Sequence, residues 1–175
     1  NSWNGKFYNH TNENAEDFKI DVTDNLEKQD WKVFVDAKEE VLIGGLTFLN
    51  NWIIRSETSN ALEKLYVRNY KTGKEEELIF SNENVYVPGI SLVQRDKNTD
   101  KIYLGYSSPK TQSRVYSYNL NSKEKELVKE QEIPSGHNPE DYIVERIDCK
   151  SHDGRMVPLT ITRQKKTKVD GSANL

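Results

Sequence analysis

The sequence predicts an all-β fold built on a repeat of about four strands. Three observations predict it. Short runs rich in Val, Ile, Tyr, Leu and Phe alternate with stretches of Asn, Gly, Lys and Glu, which is a strand-and-turn pattern, and helical periodicity is weak almost throughout. Two groups of these runs recur 50 residues further on (positions 52 and 102, 65 and 115). The pattern then breaks after Glu132, at a Pro- and Gly-containing segment that leads into a separate hairpin.

The first element is the weakest copy of the repeat. Phe7-Tyr8 and Phe18-Lys19-Ile20-Asp21 stand where its two middle strands belong. The second copy reads as strands over residues 41–49, 52–57, 64–69 and 76–80. The third reads as strands over 86–94, 101–107, 114–120 and 126–132. Trp52-Ile53-Ile54 answers to Ile102-Tyr103-Leu104, and Leu65-Tyr66-Val67-Arg68-Asn69 answers to Val115-Tyr116-Ser117-Tyr118-Asn119. A turn follows each, at Lys71-Thr72-Gly73-Lys74 and at Asn121-Ser122-Lys123-Glu124, and each turn leads into a Glu-rich strand carrying Leu78 or Leu127. One four-stranded sheet cannot bury both of its faces, whereas sheets stacked around an axis bury them against each other. The repeat therefore points to the blades of a partial β-propeller, and two similar meanders in a β-sandwich would give the same offset. Two full repeats and a partial one cannot close a ring. The isolated chain is accordingly expected to be poorly stable and to self-associate through exposed edges and faces.

Within the repeats, Gly44-Gly45 are expected to mark a bulge or a close contact in a strand, and Pro88 to sit early in an inner strand, where a missing N–H is tolerated best. The charge runs Lys74-Glu75-Glu76-Glu77 and Lys123-Glu124-Lys125-Glu126 mix both signs and read as solvated strand or turn faces. The segment 133–141, with Pro134, Gly136 and Pro139, reads as a linker. Beyond it, Tyr142-Ile143-Val144-Glu145-Arg146-Ile147-Asp148-Cys149 and Met156-Val157-Pro158-Leu159-Thr160-Ile161-Thr162 flank a turn at Asp153-Gly154, a pair whose two central residues suit positive φ. Val144, Ile147, Val157 and Ile161 are expected to join a sheet.

Composition excludes several function classes. The 175 residues carry 25 basic and 28 acidic side chains, a net charge of −3, which gives no basic footprint for nucleic acid. Mean hydropathy is low, at −0.86, but nine Tyr, five Phe and three Trp argue for a folded chain with a polar surface. No apolar stretch is long enough to span a bilayer. The lone Cys149 cannot form an internal disulfide, which suits a reducing, cytoplasmic location. The start at Asn1-Ser2-Trp3, with Met156 as the one methionine, is expected of a processed chain or of an excerpt from a longer one. The triplet Asn9-His10-Thr11 matches a glycosylation sequon and carries no weight without a secretion signal.

Reaction chemistry is sparse. A nucleophile elbow needs Gly-x-Ser-x-Gly, so that a strained turn exposes the serine. The nearest text, Gly105-Tyr106-Ser107-Ser108-Pro109, lacks the second glycine and reads as the end of a strand. His10, His137 and His152 match no metal-ligand spacing and read as exposed loop residues. Cys149 reads as a small buried strand residue rather than a thiol nucleophile. The pairs Glu76 with Glu77 and Glu124 with Glu126 read as surface charge, and no glycine-rich phosphate loop occurs. The chain is thus expected to carry no catalytic residue, no cofactor and no metal.

The segment after the last repeat is the most specific. Glu130-Gln131-Glu132-Ile133-Pro134, Asp141-Tyr142, His152-Asp153-Gly154, Val157-Pro158 and Lys168-Val169-Asp170-Gly171-Ser172 resemble the crossover from propeller to hydrolase in the prolyl oligopeptidase group of serine peptidases. Upstream, Lys6-Phe7-Tyr8, Gly45-Leu46-Thr47 and Tyr103-Leu104-Gly105-Tyr106-Ser107-Ser108 look most like oligopeptidase B. The resemblance implies a seven-bladed propeller that caps an α/β-hydrolase domain and admits only short peptides, with a Ser-Asp-His triad in the hydrolase domain. It implies that residues 1–132 are the last propeller blades, 133–141 the crossover and 142–175 the first hairpin of the hydrolase domain, with the triad downstream. The partners implied are peptide substrates and the hydrolase domain. The competing expectation is a stand-alone β-rich binding module, or the non-catalytic remnant of a broken peptidase gene.

Overall fold

The structure, a computed structural model, describes residues 1–28, 30–90 and 96–173. It holds three four-stranded antiparallel sheets and a two-stranded hairpin. The first sheet runs β1 (Ser2–Trp3), β2 (Lys6–Thr11), β3 (Lys19–Thr23), β4 (Lys32–Val35). The second runs β5 (Val41–Phe48), β6 (Trp52–Ser59), β7 (Leu62–Asn69), β8 (Glu75–Glu77). The third runs β9 (Val87–Ile90), β10 (Lys101–Ser107), β11 (Arg114–Asn119), β12 (Lys125–Glu130). A 3-10 turn at Pro139–Asp141 leads to β13 (Tyr142–Lys150) and β14 (Met156–Gln164). In every four-stranded sheet the strands lie side by side in chain order, as a meander. The chain divides into two compact units, Asn1–Phe80 with Gln94–Asp100, and Ser81–Val93 with Lys101–Leu175.

In the first unit, the repeat that reads as partial from sequence is a complete four-stranded sheet. Its missing first strand is only two residues long, and the turn that makes it is Asn4-Gly5, with φ of 48° and 73°. Both are in the left-handed region that a two-residue hairpin loop requires. The first two sheets pack face to face. Tyr8, Ile20 and Val35 from the first meet Ile43, Phe48 and Ile53 from the second. Tyr8 lies against Phe48 with ring centroids 4.9 Å apart and meets Phe34 edge-on at 5.2 Å. Ile20 and Ile43 are wholly buried, and each such side chain contributes about 1.5–3 kcal/mol.

The sheets are also stitched by backbone. The β5–β6 register slips between Ile43 and Leu46, as the Gly44-Gly45 pair predicts. Ile43 N–H donates to the Asp17 carbonyl at 2.9 Å, and the Ile43 carbonyl meets His10 Nε2 at 2.7 Å. Gly44 is required here by space. A Cβ at this position would stand 2.2 Å from Ser56 Oγ and 2.9 Å from the Ser56 carbonyl oxygen.

The repeat is most faithful at the turn after the third strand. Asn69 and Asn119 each accept two backbone N–H bonds through Oδ1, from Lys71 and Thr72 in one copy and from Asn121 and Ser122 in the other. Gly73 and Lys123 then take positive φ at matching places. The second strands are displaced by one residue relative to the sequence alignment. Trp52 pairs with Asn69, but Lys101 pairs with Asn119. This register sets Ile53 against Ile102, and Arg55 and Glu57 against Leu104 and Tyr106.

Some strand limits differ from those the sequence suggests. β8 stops at Glu77 rather than reaching Phe80, because Ile79 N–H folds back to the Glu77 carbonyl. Ile79 is left exposed while Leu78 and Phe80 are buried. β9 covers Val87–Ile90 and is an edge strand of its sheet, with Pro88 early in it as expected, and the remainder of the 86–94 run from Ser91 lies outside the described residues. The Asp153-Gly154 turn is a wider loop than the two-residue form. Gly154 N–H bonds the Ser151 carbonyl, Ser151 N–H bonds the Arg155 carbonyl, and of the pair only Gly154 takes positive φ. In the hairpin Ile147, Val157, Leu159 and Ile161 share one face and are exposed. Val144 lies on the opposite face, contrary to the expected grouping.

Gly44→Ala should cost about 1–3 kcal/mol, because the added methyl forces the bulge away from Ser56. Urea unfolding checks this, and an unchanged midpoint would show that the close approach is relaxed in solution.

Candidate functional site

Ser107 ends β10 opposite Val87. The next residue, Ser108, uses its hydroxyl to accept the backbone N–H groups of Lys110 and Thr111. The 105–109 segment is therefore a strand end closed by a serine turn, not a strained elbow. His10 bonds Ile43 and stacks on Phe18 at 4.6 Å. His137, expected to be a solvated loop residue, is half-buried. Its Nε2 lies 2.7 Å from the Lys110 carbonyl oxygen and its ring tilts against Tyr142 at 5.2 Å. His152 Nδ1 is 3.3 Å from Ser151 Oγ in the exposed hairpin turn. A serine activated by histidine needs a third group to orient the base and donors for an oxyanion, and neighbours in a solvated turn do not supply that arrangement. Cys149 is half-buried in β13, opposite Val157. The structure brings none of these residues together.

The charged residues hold a feature that composition conceals. Arg55 and Glu57, 4% and 3% exposed, lie on the face of the second sheet that carries Ile53. Arg55 grips Glu75 with two bonds, of 2.9 and 3.0 Å, and reaches Glu57 at 2.8 Å. Lys38 meets the same Glu57 oxygen at 2.7 Å, and the Arg55 guanidinium lies over the Tyr66 ring. The run 74–77 is thus not merely a solvated face, since Glu75 neutralises a buried arginine. Burial raises the Tyr66 phenol, and the Glu57 and Glu77 carboxylates beside it push it further the same way.

In the second unit a polar cluster surrounds Tyr106. Its hydroxyl lies 3.0 Å from Ser81 Oγ, and burial pushes its pKa up to about 12. Thr111 Oγ1 donates to Glu83 at 2.8 Å. Burial drives the Glu83 carboxyl up, but hydrogen bonds from Ser108, Tyr106 and Thr111 and the charge of Lys110 outweigh it and hold the carboxyl below its ordinary range. Beside this cluster opens a cleft of about 300 Å³ between residues 82–85 and 142–144, with Lys110 at its margin. Neither the cleft nor the cluster shows in the sequence as a motif. Among the described residues no group of His, Cys, Asp and Glu could hold a metal ion, and no helix is long and apolar enough to cross a membrane.

The sequence model of one family, described as the prolyl oligopeptidase N-terminal beta-propeller domain, matches residues 1–131, which take in all three sheets. The chain belongs to that family. It is 29% identical over 162 residues to dipeptidyl aminopeptidase BI of Pseudoxanthomonas mexicana, covering 91% of this chain and 22% of that protein. Its fold is similar to that of oligopeptidase B from Trypanosoma brucei, solved in closed form with covalently bound antipain, with a TM-score of 0.83 at 20% identity over 94% of this chain and 24% of that one. Oligopeptidase B from Leishmania major gives 0.83 at 18% identity over 96% of this chain and 25% of that one. The chain therefore spans only between a fifth and a quarter of the length of these relatives. The all-β reading and the partial propeller both stand, and the sandwich alternative does not.

Two measurements test the electrostatics. Arg55→Met should cost about 3–5 kcal/mol, since it strands Glu57 and Glu75 without their main cation. Thermal melting shows this as a large drop, and a shift within a degree would mean that the carboxylates are solvated. Glu83 has a lowered folded pKa, so its contribution is full above the unfolded value of about 4.3 and fades as the pH falls through the folded one. Melts from pH 7 to 3 should show this loss, and Glu83→Gln should flatten its share of it.

Proposed function

We propose that this chain is the substrate-gating propeller portion of a serine-type oligopeptidase that hydrolyses short peptides. Residues 1–132 form propeller blades, 133–141 the crossover, and 142–175 the opening hairpin of the peptidase domain. The Ser-Asp-His triad belongs to that domain and lies outside the residues of this chain, which contributes a wall that limits access. The family match over the three sheets carries the reading. It is supported by the position of the hairpin, which follows the last blade directly and leaves an apolar face of Ile147, Val157, Leu159 and Ile161 exposed. A sheet of a catalytic domain would cover such a face. The unpaired Cys149 suits a reducing cytoplasm.

The purified chain should hydrolyse neither basic nor proline peptide reporters and should take up no serine-directed fluorophosphonate. A protein extended through a downstream hydrolase domain should do both, and should cleave short peptides but not folded proteins. Stoichiometric labelling of the 175-residue chain, or an extended protein without activity, would overturn the proposal.

A further inference from the structure

The crossover leaves the third sheet at Gln131, whose N–H still bonds the Ser113 carbonyl. Residues 132–136 are then exposed, with a local turn from Gly136 N–H to the Ile133 carbonyl. At His137 the chain returns to the sheet. The ring reaches the Lys110 carbonyl at 2.7 Å, in the β10–β11 loop, and tilts against Tyr142, the first residue of β13. From there the path is fixed locally. Asn138 Oδ1 caps the 3-10 turn by accepting Glu140 N–H, and Tyr142 N–H bonds the Pro139 carbonyl. The Asp141 carbonyl accepts Lys165 N–H, which ties the far end of β14 to the same point.

We infer that His137 is a latch that fastens the crossover to the β10–β11 loop and so sets the direction in which the hairpin leaves the third sheet. One side chain joins two otherwise separate stretches, through a bond to a backbone carbonyl and a ring contact to the first hairpin residue. The Lys110 carbonyl sits in a loop that is itself ordered, by the Ser108 hydroxyl and by Thr111 bonded to Glu83. The latch therefore has a rigid anchor. The ion pairs nearby do not supply this. Glu140 stands 4.0 Å from both Lys110 Nζ and Lys165 Nζ and is 77% exposed, and pairs of that kind contribute little. The first residues of the hairpin, 142–144, also line the cleft opposite residues 82–85, with Lys110 at its margin. Resting on the proposed function, the latch limits how far a peptidase domain carried on the hairpin swings from the last blade.

The test uses spin labels at Lys129→Cys on β12 and Thr160→Cys on β14, in a Cys149→Ser background. The unmodified latch should give a narrow distance distribution. His137→Ala should at least double its width while leaving the melting temperature of the third sheet in place. His137→Gln, which keeps a donor near the Nε2 position, should restore most of the narrow form, and Glu140→Gln should leave it unchanged. An unaltered width in folded His137→Ala would overturn the latch. So would equal broadening in His137→Gln or in Glu140→Gln, which would move the role away from the histidine bond. These distances are read without any peptidase activity. An inactive extended protein would sink the proposed function and leave the latch standing.

Discussion

The stitch at Ile43 is the contact on which the first unit depends. A four-stranded sheet has two faces and two edges, and a neighbour that covers an apolar face and also bonds an open edge serves both needs. Ile43 does both. Its side chain is wholly buried between the first two sheets, while its N–H and carbonyl turn outward to Asp17 and His10 of the first. The outward turn is possible because the next two residues are glycines. Gly44 lets β5 approach Ser56 closer than any side chain could, and the bulge that follows restores the register with β6. The aromatic packing of Tyr8, Phe34 and Phe48 is then built around a junction that backbone bonds already fix.

The same need to cover a face explains the buried charges. Along β6, Ile53, Arg55 and Glu57 lie on one face, and all three are buried. In the third sheet the equivalent strand presents Ile102, Leu104 and Tyr106. The second sheet thus replaces two bulky side chains with an ion pair, and recovers the desolvation cost through two bonds to Glu75, one to Lys38 and the Tyr66 ring. Removing one partner is far more damaging than the pair is stabilising. A face built this way is intolerant of single changes in a manner that an apolar one is not.

Much of the fold was legible because the turns repeat. The Asn69 and Asn119 turns follow the same bonding plan, and a side-chain amide that organises four residues leaves a fixed signature in sequence. The glycine pair at 44–45 and the early place of Pro88 in its strand were legible for the same reason, since each is dictated by backbone geometry. The first strand was not. Two residues carry no periodicity, and the cue was the Asn4-Gly5 turn rather than the strand. The charge run at 74–77 concealed Glu75, because a run of mixed charge looks the same whether a carboxylate faces water or a buried guanidinium. The one-residue shift of the second strands was hidden because Ile53-Ile54 can be aligned with Ile102 in either register, and only pairing with the third strand decides between them.

The role of His137 was out of reach for a different reason. A histidine in a proline- and glycine-containing linker has no pattern around it, and its partner is a backbone carbonyl 27 residues away, which no side-chain identity encodes. The cleft beside it is likewise made of three segments that are distant in sequence. The residues that turned out to be well placed are those that hold elements together: His10 on Ile43, His137 on Lys110, Glu83 on Thr111. Each joins two segments distant in sequence through one polar side chain. In a chain that is only 34% hydrophobic, apolar area between elements is limited, and these bonds take over the task of fixing where one element lies against the next. Arg55, Glu57 and Glu75 do the same within the second sheet, where the bonds from Arg55 to Glu75 tie β6 to β8.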